Sequence, residues 1–291
     1  MVGVTFSGRH VIALLFLVFV ATAFFFIYAL IGWNALLSFT KSRGLAITYE
    51  LAGLEQYRKA AEDPVFYVSI RNNALLILLF IPGSMAVGLL LAILMNTVSE
   101  RLESAFRMVF LLPFSLSFVV TGAMWAWMYN YTFGVANSLL SLLAGIRVNW
   151  LGDPDLALYS IILALIWQFS GYTALVFLAG IKSVPVEQLE AARVDGATTL
   201  QVYRFVILPQ LRPWFLSSFV VLMVFALKAF DFIYVLTNGG PGVSTYVLAL
   251  LMYRRAFFET DFPYGAALAT ILLAMVVSVV APYLAASLRK R

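Results

Sequence analysis

Long apolar runs alternate with short polar stretches from one end of the chain to the other. A bilayer core takes about 20 apolar residues per helix. Runs near Val11 to Trp33, Ala74 to Met95, Met108 to Tyr131, Leu156 to Ile181, Trp214 to Leu236 and Tyr264 to Leu288 meet that length. The pattern predicts an all-α polytopic membrane protein with about six transmembrane helices, residues 1–291 forming a single domain. Trp33, Tyr129, Tyr131, Trp214 and Tyr264 fall near the ends of these runs, where amphipathic rings favour the membrane interface. Pro82, Pro113 and Pro282 fall inside runs and each removes a helix hydrogen bond; they read as ordinary membrane-helix prolines rather than gating hinges.

Composition points the same way. Of 291 residues, 63% are hydrophobic and 11% charged, far more apolar surface than a soluble domain of this length buries. The lack of cysteine excludes disulfides and thiolate metal sites, and His10 is the single histidine, so no metal centre is expected. The net charge of +5 comes from lysines and arginines scattered singly, which suits lipid headgroups and not nucleic acid. Arg9, an apolar stretch and Ala21-Thr22-Ala23 imitate a cleavable secretion signal. Because Phe24 to Ile27 continue the apolar run, a retained span is expected. With both termini in the cytoplasm, inside segments carry ten basic residues against eight outside, and Arg289-Lys290-Arg291 tips the balance inward.

One polar stretch has internal order. Between the fourth and fifth runs, Lys182 to Pro213 is patterned as two short helices joined at a glycine. Ser183 and Pro185 suit a helix start, and Glu187 and Glu190 lie near the positive end of its backbone dipole. Gly196 suits the left-handed geometry that ends a helix. Leu200, Tyr203, Phe205, Ile207 and Leu208 make the second piece more apolar; Pro209 is expected to stop it and Pro213 to open the next span.

Glu190-Ala191-Ala192-Arg193, Asp195-Gly196-Ala197 and Leu208-Pro209 resemble, in identity and spacing, the EAA loop of binding-protein-dependent ABC importer permeases. Phe230 to Thr237 followed by Asn238-Gly239-Gly240-Pro241 is similar to the fifth-span ending of the carbohydrate uptake group, relatives of the maltose and glycerol-3-phosphate permeases. The resemblance implies a type I ABC importer transmembrane fold in a prokaryotic cytoplasmic membrane. Its partners would be a second homologous permease, two ABC ATPase subunits and an extracytoplasmic solute-binding protein. It implies that a coupling helix at about Pro185 to Val194 docks into the ATPase. No Walker sequence exists in the chain, so ATP and Mg belong to those ATPase subunits and the chain itself carries no catalysis or cofactor.

Charged groups at membrane depth face the bundle interior or water. Lys228 and Asp231 are three apart, hence on one helical face, and either pair with each other or contact a sugar. Trp167 to Tyr172 offers an amide, a hydroxyl and aromatic faces suited to a polyhydroxylated ligand. The family likeness places wall positions of a substrate pathway at Gln168, Tyr172, Leu222, Ala226 and Ala229, of which the last three are apolar. The remaining Phe, Met and Trp residues are expected to face lipid or to pack. Asn238 to Gly242 is a turn by composition, and by resemblance it and the loop Leu36 to Ser69 lie near the docked binding protein. The expected cargo is a sugar or polyol, with a non-sugar solute such as glycerol-3-phosphate as the alternative. An ion-coupled secondary carrier is disfavoured, because it would leave the patterned loop without a purpose and has few charges at depth.

Overall fold

Lipid supplies no hydrogen-bond partner, so a chain this apolar must satisfy its backbone within its own helices. The computed structural model describes residues 8–41 and 50–288. Arg43, the rest of segment 42–49 of the loop expected near a binding protein, and Arg289-Lys290-Arg291 lie outside the described residues. Within them, every regular element is helical apart from one isolated bridge between Thr40 and Leu51. Four helices are long and apolar enough to cross a membrane, or six if each of two bent pairs counts as one span.

The chain divides into two units by its internal contacts. The first holds α1 (Gly8–Leu37), α2 (Glu55–Glu62) and residues Met252–Ile271, which include a wide helical turn (Arg254–Phe258) and the start of the last helix. Asn34 donates to Ala266 O at 3.2 Å and to Thr270 Oγ1 at 3.1 Å. Lys59 on α2 pairs with Asp261 and sits 4.7 Å above the Tyr264 ring, which is fully buried.

The second unit is built around α3 (Pro64–Met95) and α7 (Ala157–Lys182). Asp63 caps α3 by accepting from Val65 N at 2.8 Å, and Pro64 sits at the first position, where its missing N–H costs nothing. These signals start the helix about one run of ten residues before the span predicted at Ala74, and its 32 residues exceed what a bilayer core needs. Phe80 meets Phe169 edge-on at 5.2 Å, and Thr173 Oγ1 donates to Ser84 O at 2.8 Å. Against α7 also packs α4 (Glu100–Ser115), whose backbone comes so close that a methyl added at Gly171 would overlap the Phe110 carbonyl.

Two predicted spans are not continuous helices. The run Met108 to Tyr131 divides into α4 and α5 (Phe118–Met128), bent by 96°. Leu116 is extended at the break and Ser117 restarts the helix by accepting from Val120 N at 3.3 Å. The run Trp214 to Leu236 divides into α11 (Arg212–Leu227) and α12 (Asp231–Thr237). There Phe230 N donates to Lys228 O at 2.7 Å, a tight turn that takes the place of the helical ladder. Between α5 and α7 lies the short helix α6 (Val135–Ala144). The remaining helices are α8 (Val186–Val194), α9 (Thr199–Val202), α10 (Leu208–Gln210), α13 (Leu248–Tyr253) and α14 (Phe262–Leu288).

Because α7 meets α4 backbone to side-chain-free backbone, Gly171→Val should destabilise the chain by about 1–3 kcal/mol through overpacking. Thermal unfolding in detergent checks this. An unchanged melting temperature would show that α4 is not held against α7.

Candidate functional site

The two helix breaks of the second unit face a common cavity. Gln168, buried on α7, donates its amide to Leu116 O at 3.4 Å and accepts from Thr121 Oγ1 on α5 at 3.1 Å. One side chain therefore satisfies the carbonyl orphaned by the first break and ties the limb beyond it. Phe118, at the start of α5, lies 6.4 Å from Phe232 on α12 and 5.9 Å from Phe225 on α11, so the two bent segments meet through rings. Phe169 lies 4.9 Å from Phe225. The wall is completed by Ala226, Lys228, Ala229 and Asp231.

These positions alter the sequence reading in three ways. Lys228 and Asp231 do not share a helical face, since α11 stops at Leu227 and α12 begins at Asp231. Among the described residues no ion pair joins them, and both side chains are exposed on the cavity. Gln168 borders the cavity, but both ends of its amide are engaged in mending the α4 to α5 break. Phenylalanines expected to pack or face lipid, Phe118, Phe225 and Phe232, form much of the lining instead. Ala226 and Ala229 lie on the wall, Tyr172 reaches it only by stacking at 5.0 Å on the lining residue Phe114, and Leu222 is fully buried. Ring faces beside one ammonium and one carboxylate can hold a polyhydroxylated ring by stacking and hydrogen bonding together.

The polar loop forms a second assembly. Pro185 precedes α8, and Ser183 belongs instead to the end of α7, its hydroxyl donating to Gly180 O at 2.7 Å. At the other end of α8, Gly196 N donates to Arg193 O and Ala197 N to Ala192 O, both at 3.0 Å. This Schellman closure needs the left-handed φ of 81° that Gly196 adopts without strain. Thr198 and Gln201 then cap α9 reciprocally. A wide helical turn at Tyr203–Ile207 follows, over the carbonyls that an N–H at Pro209 would have used, so the helix runs through Pro209 and bends by 63° at Leu211. Pro209 therefore does not stop the second piece, contrary to its sequence reading. Leu189, Ala192, Ala197 and Leu208 pack against a core of Met95, Phe177, Leu178, Ile181 and Leu211. Gln210 donates to Gln188 Oε1 at 2.8 Å, tying α10 to α8. Glu190, Ala191 and Arg193 on α8 and Asp195 just after it are left exposed.

Two further groups were not legible as site residues. Glu103 on α4 is buried and receives Arg107 and, at 2.7 Å to both carboxylate oxygens, Lys182, the last residue of α7 before the loop. Asn72, buried on α3, donates to Ser244 O at 2.7 Å and Tyr246 O at 2.8 Å, while Asn73 Oδ1 accepts from Leu248 N at 2.9 Å. They anchor the turn containing exposed Asn238 and buried Gly239, with Gly240 and Pro241 between the two extremes, where Thr245 Oγ1 donates to Gly240 O at 2.9 Å. The polar pair Asn72-Asn73, immediately before the apolar run that opens at Ala74, was the available signal.

The model of the family described as binding-protein-dependent transport system inner membrane component matches residues 84–291. A probable ABC transporter permease protein of Pyrococcus horikoshii is 56% identical over 261 residues, 89% of each chain. The xylose/arabinose import permease protein XacH of Haloferax volcanii is 46% identical over 89% of this chain and 82% of its own. Among solved structures, a bacterial alginate ABC transporter in complex with an alginate pentasaccharide-bound periplasmic protein superposes with a TM-score of 0.80 at 22% identity, over 93% of this chain and 92% of that one. That likeness establishes the fold.

Removing Lys182 alone leaves the Glu103 carboxylate buried with one partner fewer. Lys182→Met should cost about 1–3 kcal/mol, and adding Glu103→Leu should recover part of it, since the stranded charge is gone. Melting curves of the single and double variants test this; strictly additive losses would contradict it.

Proposed function

This chain belongs to the family of binding-protein-dependent transport system inner membrane components, and on that premise we propose that it is the sugar-conducting permease subunit of an ATP-driven importer. It is a multi-pass membrane protein with the helical fold of such permeases. In this reading an extracytoplasmic binding protein delivers the solute, a second, homologous permease completes the pathway, and two separate ATPase subunits supply ATP hydrolysis with Mg. Both termini lie in the cytoplasm.

The observation that carries the proposal is α8. Leu189 and Ala192 are locked onto the ends of α3 and α7, and Glu190, Ala191 and Arg193 stay exposed for a partner. Alanine allows close backbone approach, while the glutamate and arginine set register through charge-assisted hydrogen bonds. Motion of a docked ATPase would reach the bundle through Ile181 and Leu211, which join the loop to α7 and α11 in one core. The family's transport is then alternating access, in which ATP-driven closure biases one of two packings of the bundle. The cavity between the two helix breaks is the pathway, with Lys228, Asp231 and the rings of Phe118 and Phe225 as the groups that meet solute. Gln168 and Tyr172 act from behind it, and Leu222, Ala226 and Ala229 shape it. The turn Asn238 to Pro241 faces the binding protein.

Sugar cargo rests on the aromatic lining and on the relative named for xylose and arabinose import. Stacking faces beside only one cation favour a neutral polyhydroxylated ring over a dianion such as glycerol-3-phosphate.

Reconstitution with the partner permease, the ATPase and the binding protein tests the coupling. Glu190→Ala should lower uptake at least about tenfold, equal to 1.4 kcal/mol of coupling, and Gly196→Val should do the same by opening the Schellman closure. Uptake that persists without the ATPase, or that both variants leave intact, would refute the reading. For the pathway, Phe225→Ala should reduce transport of the sugar while binding-protein affinity for it stays unchanged. Equal transport by the variant and the original chain would remove the cavity from the route.

A further inference from the structure

Helix α6 is inverted relative to a helix on a soluble protein: its one buried residue is the polar Asn137, and Leu139, Leu142 and Leu143 are outside. Asn137 is 1% exposed, whereas Leu142 and Leu143 are each 82% exposed, and Leu139 and Ile146 are 54% and 52% exposed. At 100° per residue, Val135, Leu139, Leu142 and Leu143 fall on one stripe, and Ile146 continues it just beyond the helix. At ten residues, α6 is about 15 Å long, half of what a bilayer core requires, so it is no span.

Its attachment shows where it lies. Asn137 Nδ2 donates to Tyr131 O at 3.2 Å, after the end of α5, and to Val148 O at 2.9 Å. Asn137 Oδ1 accepts from Val148 N at 2.9 Å and from Trp150 Nε1 at 3.2 Å. Trp150 stacks on Tyr129 at 5.5 Å, and Ser160 near the start of α7 donates to Trp150 O at 2.9 Å. Arg147 holds Thr132 O at 3.1 Å. The helix is thus pinned between the end of one spanning segment and the beginning of the next, within a belt of Tyr129, Tyr131 and Trp150. Aromatic rings and an arginine at that level mark the membrane boundary. Val120 and Trp127 on α5 and Tyr159 and Leu163 on α7 are exposed apolar residues as well.

We propose that α6 is an interfacial anchor that lays Val135, Leu139, Leu142, Leu143 and Ile146 into the acyl chains of the leaflet where α5 ends and α7 begins, with Arg147 at headgroup level. The occupant of this face is lipid. The buried Asn137 makes the anchor rigid, because its four hydrogen bonds fix the helix to Tyr131 just after α5 and to Val148 and Trp150 before α7, and Trp150 in turn meets Tyr129 and Ser160. The proposal rests on the reading of α5 and α7 as membrane segments and is independent of the cargo.

Since the chain contains no cysteine, Leu139→Cys, Leu142→Cys and Leu143→Cys each accept a single nitroxide label, with Asp155→Cys as the aqueous reference. In the assembled transporter in phosphatidylcholine vesicles, relaxation of the three leucine-site labels by molecular oxygen should exceed relaxation by a water-soluble nickel complex severalfold, and the order should reverse at Asp155. Greater accessibility to the nickel complex at the leucine sites would overturn the proposal and place α6 in water. Exclusion of both reagents would overturn it in favour of a protein partner, either the second permease or the binding protein. Three positions on the stripe keep the test valid if one variant fails to assemble, and uptake by each labelled transporter reports the fold.

Discussion

A peptide group in lipid has nowhere to turn except to its own helix, and this constraint governs where the chain is allowed to break. Each of the two breaks among its spans has a specific remedy. At Leu116, the buried amide of Gln168 accepts and donates across the gap. At Lys228, the backbone closes a three-residue turn on itself, and the neighbouring Ala226 carbonyl takes the amide of Asn73 at 3.5 Å. The broken segments are tolerated because they face each other over a cavity instead of facing acyl chains. Site and fold are consequently one problem: the irregular backbone that opens the cavity lies where α3 and α7 supply hydrogen bonds to it.

The same logic organises the cytoplasmic loop under the proposed topology, with stronger local signals. Gly196, Pro185 and the Thr198 and Gln201 pair each fix a helix end within a few residues, so the geometry of α8 and α9 is encoded almost entirely by neighbours in sequence. Force applied to α8 meets a tightly packed core at Phe177, Ile181 and Leu211 before it meets any lipid. The ionic clasp of Glu103 on Lys182 lies at the root of that loop and ties α4 into the same end of the bundle.

Legibility in the sequence follows from how local each cause is. The helical class and the loop could be read because apolar run length, glycine and proline act over a few residues. The break after Leu227 could not, because Leu227-Lys228-Ala229-Phe230-Asp231 contains no glycine or proline and its turn is imposed by tertiary packing. Pro209 misled in the opposite sense: the wide turn before it removes the hydrogen bond that the proline would have broken. Gln168 carried a polar signal that was real but ambiguous, since an amide in an apolar run serves backbone and ligand equally well. The lining phenylalanines looked like every other phenylalanine in the chain, and only the meeting of α5, α7, α11 and α12 separates them from the lipid-facing ones.

The pair Ala226 and Ala229 has a consequence for how such a protein could change its cargo. Their side chains border the cavity yet make no hydrogen bond, and the contact that Ala226 gives Asn73 is through its backbone. A larger or polar side chain at Ala229 would redraw the cavity without removing any of the bonds that hold the broken helices in place. Under the proposed pathway, scaffold and selectivity are carried by different atoms, so a substitution at Ala229 can alter the cavity while the bonds that hold the broken helices stay in place.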